Sequence, residues 1–197
     1  MRRLRRVLAT VLIVGAVGLV AGAGTFAAFS ATSGNSGNSF AAGTVALADN
    51  DAGSAMWSVT NRIPGDTVTT CIRLSYTGTL AADVKLYSAS AVNSVDQYLN
   101  LSVDKGTMPG GTTFPNCTGF SSQSTIYSGT VQGFKNSNNA YGNGVGAYPG
   151  AQTQWNQNDT LVYQFTLTLQ DNNNANGQGA GALQSGSHSF TWEARNQ

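Results

Sequence analysis

A chain of 197 residues with ten Lys+Arg, nine Asp+Glu and a single His has room for one domain and a leader. Only 10% of it is charged, against roughly 25% in an average globular protein, and the near-zero net charge excludes the basic face that nucleic acid requires. Aromatic residues at 9% exclude full disorder, and the absence of a Lys/Glu-rich amphipathic run excludes an all-helical or coiled-coil protein.

Arg2, Arg3, Arg5 and Arg6 precede an uncharged run from Val7 to Val20 that carries Thr10, Gly15 and Gly18. A basic start, a short apolar core and then small residues is the layout of a secretory signal peptide. The core is short for a membrane span, which needs about 20 apolar residues. Residues 1–27 are therefore expected to be a signal peptide, cleaved in the region of Thr25, Phe26, Ala27 and Ala28, leaving a secreted chain with no membrane association. Without the leader, six basic residues face nine acids, 6 − 9 = −3, a balance that gives no attraction to anionic surfaces. Residues 28–39 end in the tract SATSGNSGNS, a flexible polar segment that buries nothing by itself. The folded domain is expected over 40–197.

From Phe40 onward, short strand-like runs alternate with Gly, Asn, Asp and Pro. Val45 and Leu47 alternate with small residues, as do Trp57 and Val59. Pro64, Gly65 and Asp66 form a turn, because Pro presets φ and Gly accepts positive φ. Val68, Thr70, Ile72, Leu74 and Tyr76 then share one face of a period-two strand. Val84 with Leu86, and Leu99 with Leu101 and Val103, repeat the pattern, and Ser94 to Tyr98 can make one helical turn. Ile126 and Val131 fall in weaker strands. Leu161, Tyr163, Phe165, Leu167 and Leu169 face one way, and Phe190, Trp192 and Ala194 close the series. Seven to nine short strands between turn signals predict an all-β protein, a sandwich or barrel. The Asn/Gly-rich stretch 133–158 reads as a long loop around Tyr141, Tyr148 and Trp155, and a second such tract covers 171–181.

Cys71 and Cys117 form an even pair in an exported chain and predict one disulfide. The catalytic inventory is thin. His188 is the sole histidine, so there is no HExxH pair and no ordinary His-ligated zinc site; it reads as a structural histidine near a strand start. No GxSxG elbow supports a serine nucleophile. Glu193 is the only glutamate, which leaves no evident pair of acids for glycoside hydrolysis. Asp49-Asn50-Asp51 and Asp171-Asn172-Asn173-Asn174 read as Asn/Asp turns, short of the acids a calcium loop carries. No cofactor or metal is expected. Tyr141, Tyr148 and Trp155 would suit stacking on a glycan if exposed, or pinning of their loop if not.

Four blocks carry a resemblance. The junction Gly24-Thr25-Phe26-Ala27-Ala28-Phe29-Ser30 is followed by Phe40-Ala41-Ala42-Gly43-Thr44-Val45-Ala46-Leu47. Asn61-Arg62-Ile63-Pro64-Gly65-Asp66 precedes the long strand. Asn176-Gly177-Gln178-Gly179 precedes Ser189-Phe190-Thr191-Trp192-Glu193-Ala194. In order and spacing these resemble the TasA/camelysin family, exported with a SipW-type signal peptide. The middle, 86–158, carries no matching motif; Tyr76-Thr77-Gly78 and Ala46 depart from the pattern, and the two cysteines are no part of it. The resemblance implies a jelly-roll-like antiparallel β-sandwich at the cell surface or in a biofilm matrix. With the thin catalytic inventory it leads to the expectation of a noncatalytic structural protein, with self-association or a second matrix subunit as partner. The resemblance further implies fibres of the kind some members form, in which an N-terminal segment adds as a strand to the next subunit; here Phe29 and Ala31 would supply its apolar contacts. Camelysin relatives are also catalogued as metalloendopeptidases, a chemistry that one His and no HExxH do not support. A monomeric glycan-binding module is the remaining alternative.

Overall fold

The computed structural model describes residues 42–57, 62–110, 112–171, 175 and 188–196. The expected leader with its cleavage region, Phe29 and Ala31 of the 28–39 segment, Val59, and most of the 171–181 tract lie outside them.

Most of the period-two runs in the described region become strands. Eight strands are present there: β1 (Leu47–Asp49), β2 (Thr67–Tyr76), β3 (Ala82–Tyr87), β4 (Leu99–Thr107), β5 (Ser121–Thr130), β6 (Val145–Gly146), β7 (Thr160–Leu169) and β8 (Thr191–Asn196). They form a five-stranded sheet in the order β1-β2-β7-β4-β5 and a three-stranded sheet in the order β6-β3-β8. Every pairing between these strands is antiparallel. The expected all-β architecture is what the chain adopts.

The alternating faces explain how the sheets meet. Ile72, Leu74 and Tyr76 of β2, Leu101 and Val103 of β4, and Leu161, Tyr163, Phe165 and Leu167 of β7 are buried on one side of the larger sheet. Ala82, Val84 and Leu86 of β3 join them in a single core cluster, with Trp192 and Ala194 of β8 packed against it. Burying such side chains contributes roughly 1.5–3 kcal/mol each. Aromatic rings bind the layers: Phe165 lies 5.0 Å from Phe190 and 5.8 Å from Trp192 in edge-on contacts.

The turn at Pro64-Gly65-Asp66 forms as expected. Gly65 has φ +88, the region where a side chain is strained. The Asp66 N–H donates to the Ile63 carbonyl at 3.1 Å, and the Gly65 N–H to the Leu169 carbonyl at 2.8 Å. This aligns β2 with β7, whose register runs from Thr67 opposite Thr168 to Ser75 opposite Thr160.

Three expectations are corrected. Val45 precedes β1 and Trp57 lies outside any strand; Trp57 instead stacks on Phe165 and Phe190 at 6.0 and 5.9 Å. Val131 opens a helix, α1 (Val131–Ser137), rather than a strand. The Thr130 side chain caps that helix by accepting the Gly133 N–H at 3.0 Å, and Val131 and Phe134, three apart on one face, are buried. The stretch 133–158 is therefore not one loop: it holds most of α1, a 3₁₀ turn at Tyr141–Asn143 and β6. A second 3₁₀ turn, Asp96–Tyr98, falls inside the expected Ser94 to Tyr98 segment.

Candidate functional site: an edge strand and its ties

β5 is one of the two outer strands of the larger sheet, the three-residue β1 being the other, and among the described strands it pairs only with β4. Its ten residues, SSQSTIYSGT, carry no charge and no proline. Most of it is exposed, with Ile126, Tyr127 and Thr130 half-buried. Register shifts in the β4–β5 ladder, between Val103 and Asp104 and between Lys105 and Gly106, are the one edge-blunting device it has. The longest other described edge, β8, carries Glu193 and Arg195, which pair at 2.7 Å. There the Arg195 and Tyr87 hydrogen bonds hold the Glu193 carboxyl below its ordinary range.

The β4–β5 hairpin is tied at both ends. In the connection between its strands, Cys117 is bonded to Cys71 of β2, with Cα atoms 5.1 Å apart at a sequence separation of 46. The expected disulfide is thus present. Beside it, the Cys71 N–H donates to the Pro115 carbonyl at 3.0 Å, and the Arg73 guanidinium donates to the carbonyls of Met108 and Pro109 at 3.2 and 2.7 Å. At the open end, Lys135 of α1 meets Asp96 at 2.8 Å, with both side chains essentially buried. Lys135 Nζ also donates to the Ala91 carbonyl at 2.8 Å. Asp96 Oδ2 accepts the Asn93 N–H at 2.8 Å, while its Oδ1 faces His188 Nδ1 at 3.5 Å. Among the described residues neither of those two facing atoms has a hydrogen-bond partner. Burial first, and the Lys135 charge second, hold the His188 imidazole below its ordinary pKa; the Asp96 charge acts in the opposite sense.

Sequence reasoning assigned His188 a structural role but did not find Asp96 or Lys135. The available signals were small: Lys135 directly follows the apolar Phe134, and Asn93 and Asp96 have the spacing of a capped turn.

The aromatic residues at 141–155 are placed against the sheet. Trp155 is 0% exposed, and its Nε1–H donates to the Ala147 carbonyl at 2.7 Å. As a candidate glycan-stacking residue it is corrected, because no face of its ring is open. Tyr148 Oη donates to Asp83 Oδ1 at 2.5 Å and Tyr141 Oη to Asp83 Oδ2 at 3.2 Å. The bond to Asp83, with burial second, pushes the Tyr148 hydroxyl up to about 12. The Arg195 guanidinium sits 4.0 Å from the Tyr141 ring centroid. The two tyrosines thus tie their segment to Asp83 of β3, while the Trp155 ring lies in the core.

A camelysin-type peptidase would need a metal, and the donor set does not fit one. The single histidine is committed to the Asp96 pocket, and both cysteines are in the disulfide. Among the described residues no three His, Cys, Asp or Glu side chains gather where an ion could be held. Asp49 and Asp51 serve their own turn: Asp49 Oδ1 accepts the Asp51 N–H at 3.2 Å and Asp51 Oδ1 the Gly53 N–H at 2.6 Å. Asn50 Oδ1 caps the Arg73 N–H at 2.8 Å.

Among the described residues no helix is long and apolar enough to cross a membrane. Comparison with curated proteins finds none that matches. The profile of one family, described as camelysin metallo-endopeptidase, matches residues 3–193. Spanning nearly the whole sequence, that match shows that the chain belongs to the camelysin family.

Proposed function

We propose that this protein is a secreted, noncatalytic structural subunit of the cell surface or extracellular matrix, and that it assembles by strand addition. The observation that carries the reading is β5, a ten-residue edge strand without charge or proline. An edge of that kind presents unpaired backbone donors and acceptors to an incoming strand. The segment 28–39 of the next copy would be the incoming strand, with Phe29 and Ala31 as its apolar contacts. A head-to-tail contact between two different surfaces does not close on itself and propagates as a filament.

The family description names a peptidase, and the donor set supports the noncatalytic reading instead. The test compares a chain beginning at Ala28 with one beginning at Phe40, by negative-stain microscopy and sedimentation. Filaments from the first and monomers from the second are expected. Monomers from both, across salt and pH, would overturn self-assembly. Stoichiometric zinc, with proteolysis lost in His188→Ala, would establish the peptidase reading in its place.

A further inference from the structure

The Asp96–Lys135–His188 pocket has the parts of a reaction centre, and its product would be a covalent bond within the chain. We propose that Lys135 and Asp96 condense to an intramolecular amide, closing the open end of the β4–β5 hairpin. The proposal does not depend on filament assembly.

Three observations support it. First, the nucleophile and the electrophile are held in contact below the surface: Lys135 Nζ is 2.8 Å from Asp96 Oδ2, with side chains 1% and 0% exposed. Such fixation replaces the improbable encounter of two groups 39 positions apart. Second, buried charged groups are disfavoured unless fully compensated, and this pair is incompletely compensated, since Asp96 Oδ1 has no hydrogen-bond partner among the described residues. The amide removes both charges. Third, the uncompensated oxygen faces a titratable group, His188 Nδ1, at 3.5 Å. That nitrogen is itself buried without a partner.

The chemistry balances without an oxidant or a cofactor. A proton passes from the Lys135 ammonium to the Asp96 carboxylate along their contact, giving an amine and a carboxylic acid. The Nζ lone pair forms a bond to Cγ. The Cγ–Oδ2 bond then breaks and its electron pair leaves with that oxygen. It departs as water, carrying the acid proton it already holds and one proton handed over from Nζ along the same contact. His188 Nδ1 faces Oδ1, the oxygen that stays and becomes the amide carbonyl. In the neutral imidazole, favoured by burial, a proton on Nδ1 can pass to Oδ1 as negative charge develops there and return as the carbonyl forms, a relay that leaves His188 unchanged. Nothing is oxidised or reduced.

The position of the bond gives it a consequence. Asp96 lies just before β4 and Lys135 just after β5, while Cys117 lies in the connection between them. The amide and the disulfide would hold the hairpin at opposite ends, so that edge strand β5 could not peel away without breaking a covalent bond.

The test is peptide mapping of the purified full chain after reduction, alkylation and trypsin digestion. A free Lys135 is cut at its carboxyl side, whereas an amide-linked one resists. The expected product is a branched peptide joining the Asp96 and Lys135 segments, lighter than their sum by one water, with the linear Lys135 peptide lost. Lys135→Arg keeps the ion pair but has no amine to acylate, and should regain the full mass, as should Asp96→Ala. His188→Ala should form the bond more slowly; formation at the wild-type rate would overturn the relay. Recovery of only the linear peptide from the wild type would overturn the proposal. So would a loss of water that persists in Lys135→Arg, because the dehydration would then lie elsewhere.

Discussion

Trp155 shows how one side chain fixes a segment with little regular structure. Its ring fills the core at the end of a Gly- and Asn-rich stretch, its Nε1–H satisfies the Ala147 carbonyl, and its backbone bridges to Ala82 in both directions, at 3.0 and 2.8 Å. Removing the ring leaves a cavity and an unpaired buried carbonyl. Trp155→Ala should lower the unfolding free energy by about 3–5 kcal/mol, read from urea titration, and Trp155→Phe by less. A loss below about 1 kcal/mol would mean that the ring is not in the core. His188 makes the residue-scale argument for pH. Its ordinary pKa is 6.5 and the folded value is depressed, with burial the first cause. The unfolded chain therefore binds the proton more tightly than the folded one. The contribution to stability is full above 6.5 and is lost as pH falls through the folded value. Between about pH 7 and pH 5 the wild type should lose more stability than His188→Gln. Parallel urea midpoints for the two across that window would contradict the assignment.

Among the elements, the β4–β5 hairpin depends most on ties distant in sequence. The Cys71–Cys117 bond spans 46 positions, and in the chain-entropy account such a loop is worth about 4 kcal/mol, within a usual range of about 2–5. The double variant Cys71→Ala/Cys117→Ala should lose that amount in denaturant unfolding while keeping its far-ultraviolet β signature. An unchanged midpoint would show that the hydrogen bonds around Pro115 and Arg73 hold the connection alone. The elements also show what could be read in advance. β2 and β7 were legible because strict alternation meets burial on one face, and Pro64-Gly65-Asp66 because its turn demands positive φ. β5 was only faintly legible: SSQSTIYSGT is a strand because it pairs with β4, not because it buries a face. α1 was missed because seven residues with Gly133 among them have little intrinsic helix preference; the Thr130 cap and the burial of Val131 and Phe134 decide its conformation. The Asp96–Lys135–His188 meeting was illegible for a different reason. It joins a turn, a helix and the approach to β8, and no local pattern encodes which distant charge will share a pocket.

For the whole molecule, the question is whether the fold leaves a surface that another copy can extend. β8 is marked by charge, with Arg195 and Glu193 paired to each other and Glu193 to Tyr87. β5 itself has no such marking, since none of its ten residues is charged. Natural edges are commonly protected by lysine, because an ammonium cannot be covered by an incoming backbone without losing its hydration. Placing that protection on β5 is therefore a direct test at the scale of assembly. Ser124 and Ser128 are exposed on this strand, and surface changes of that kind usually alter stability by no more than about 0.5 kcal/mol. Ser124→Lys/Ser128→Lys should fold with a wild-type urea midpoint yet sediment as monomer under conditions where the chain beginning at Ala28 forms filaments. If the doubly substituted chain still forms filaments of wild-type appearance, β5 is not the acceptor. Attention would then move to β8, where Glu193→Lys should block growth if that edge is used instead.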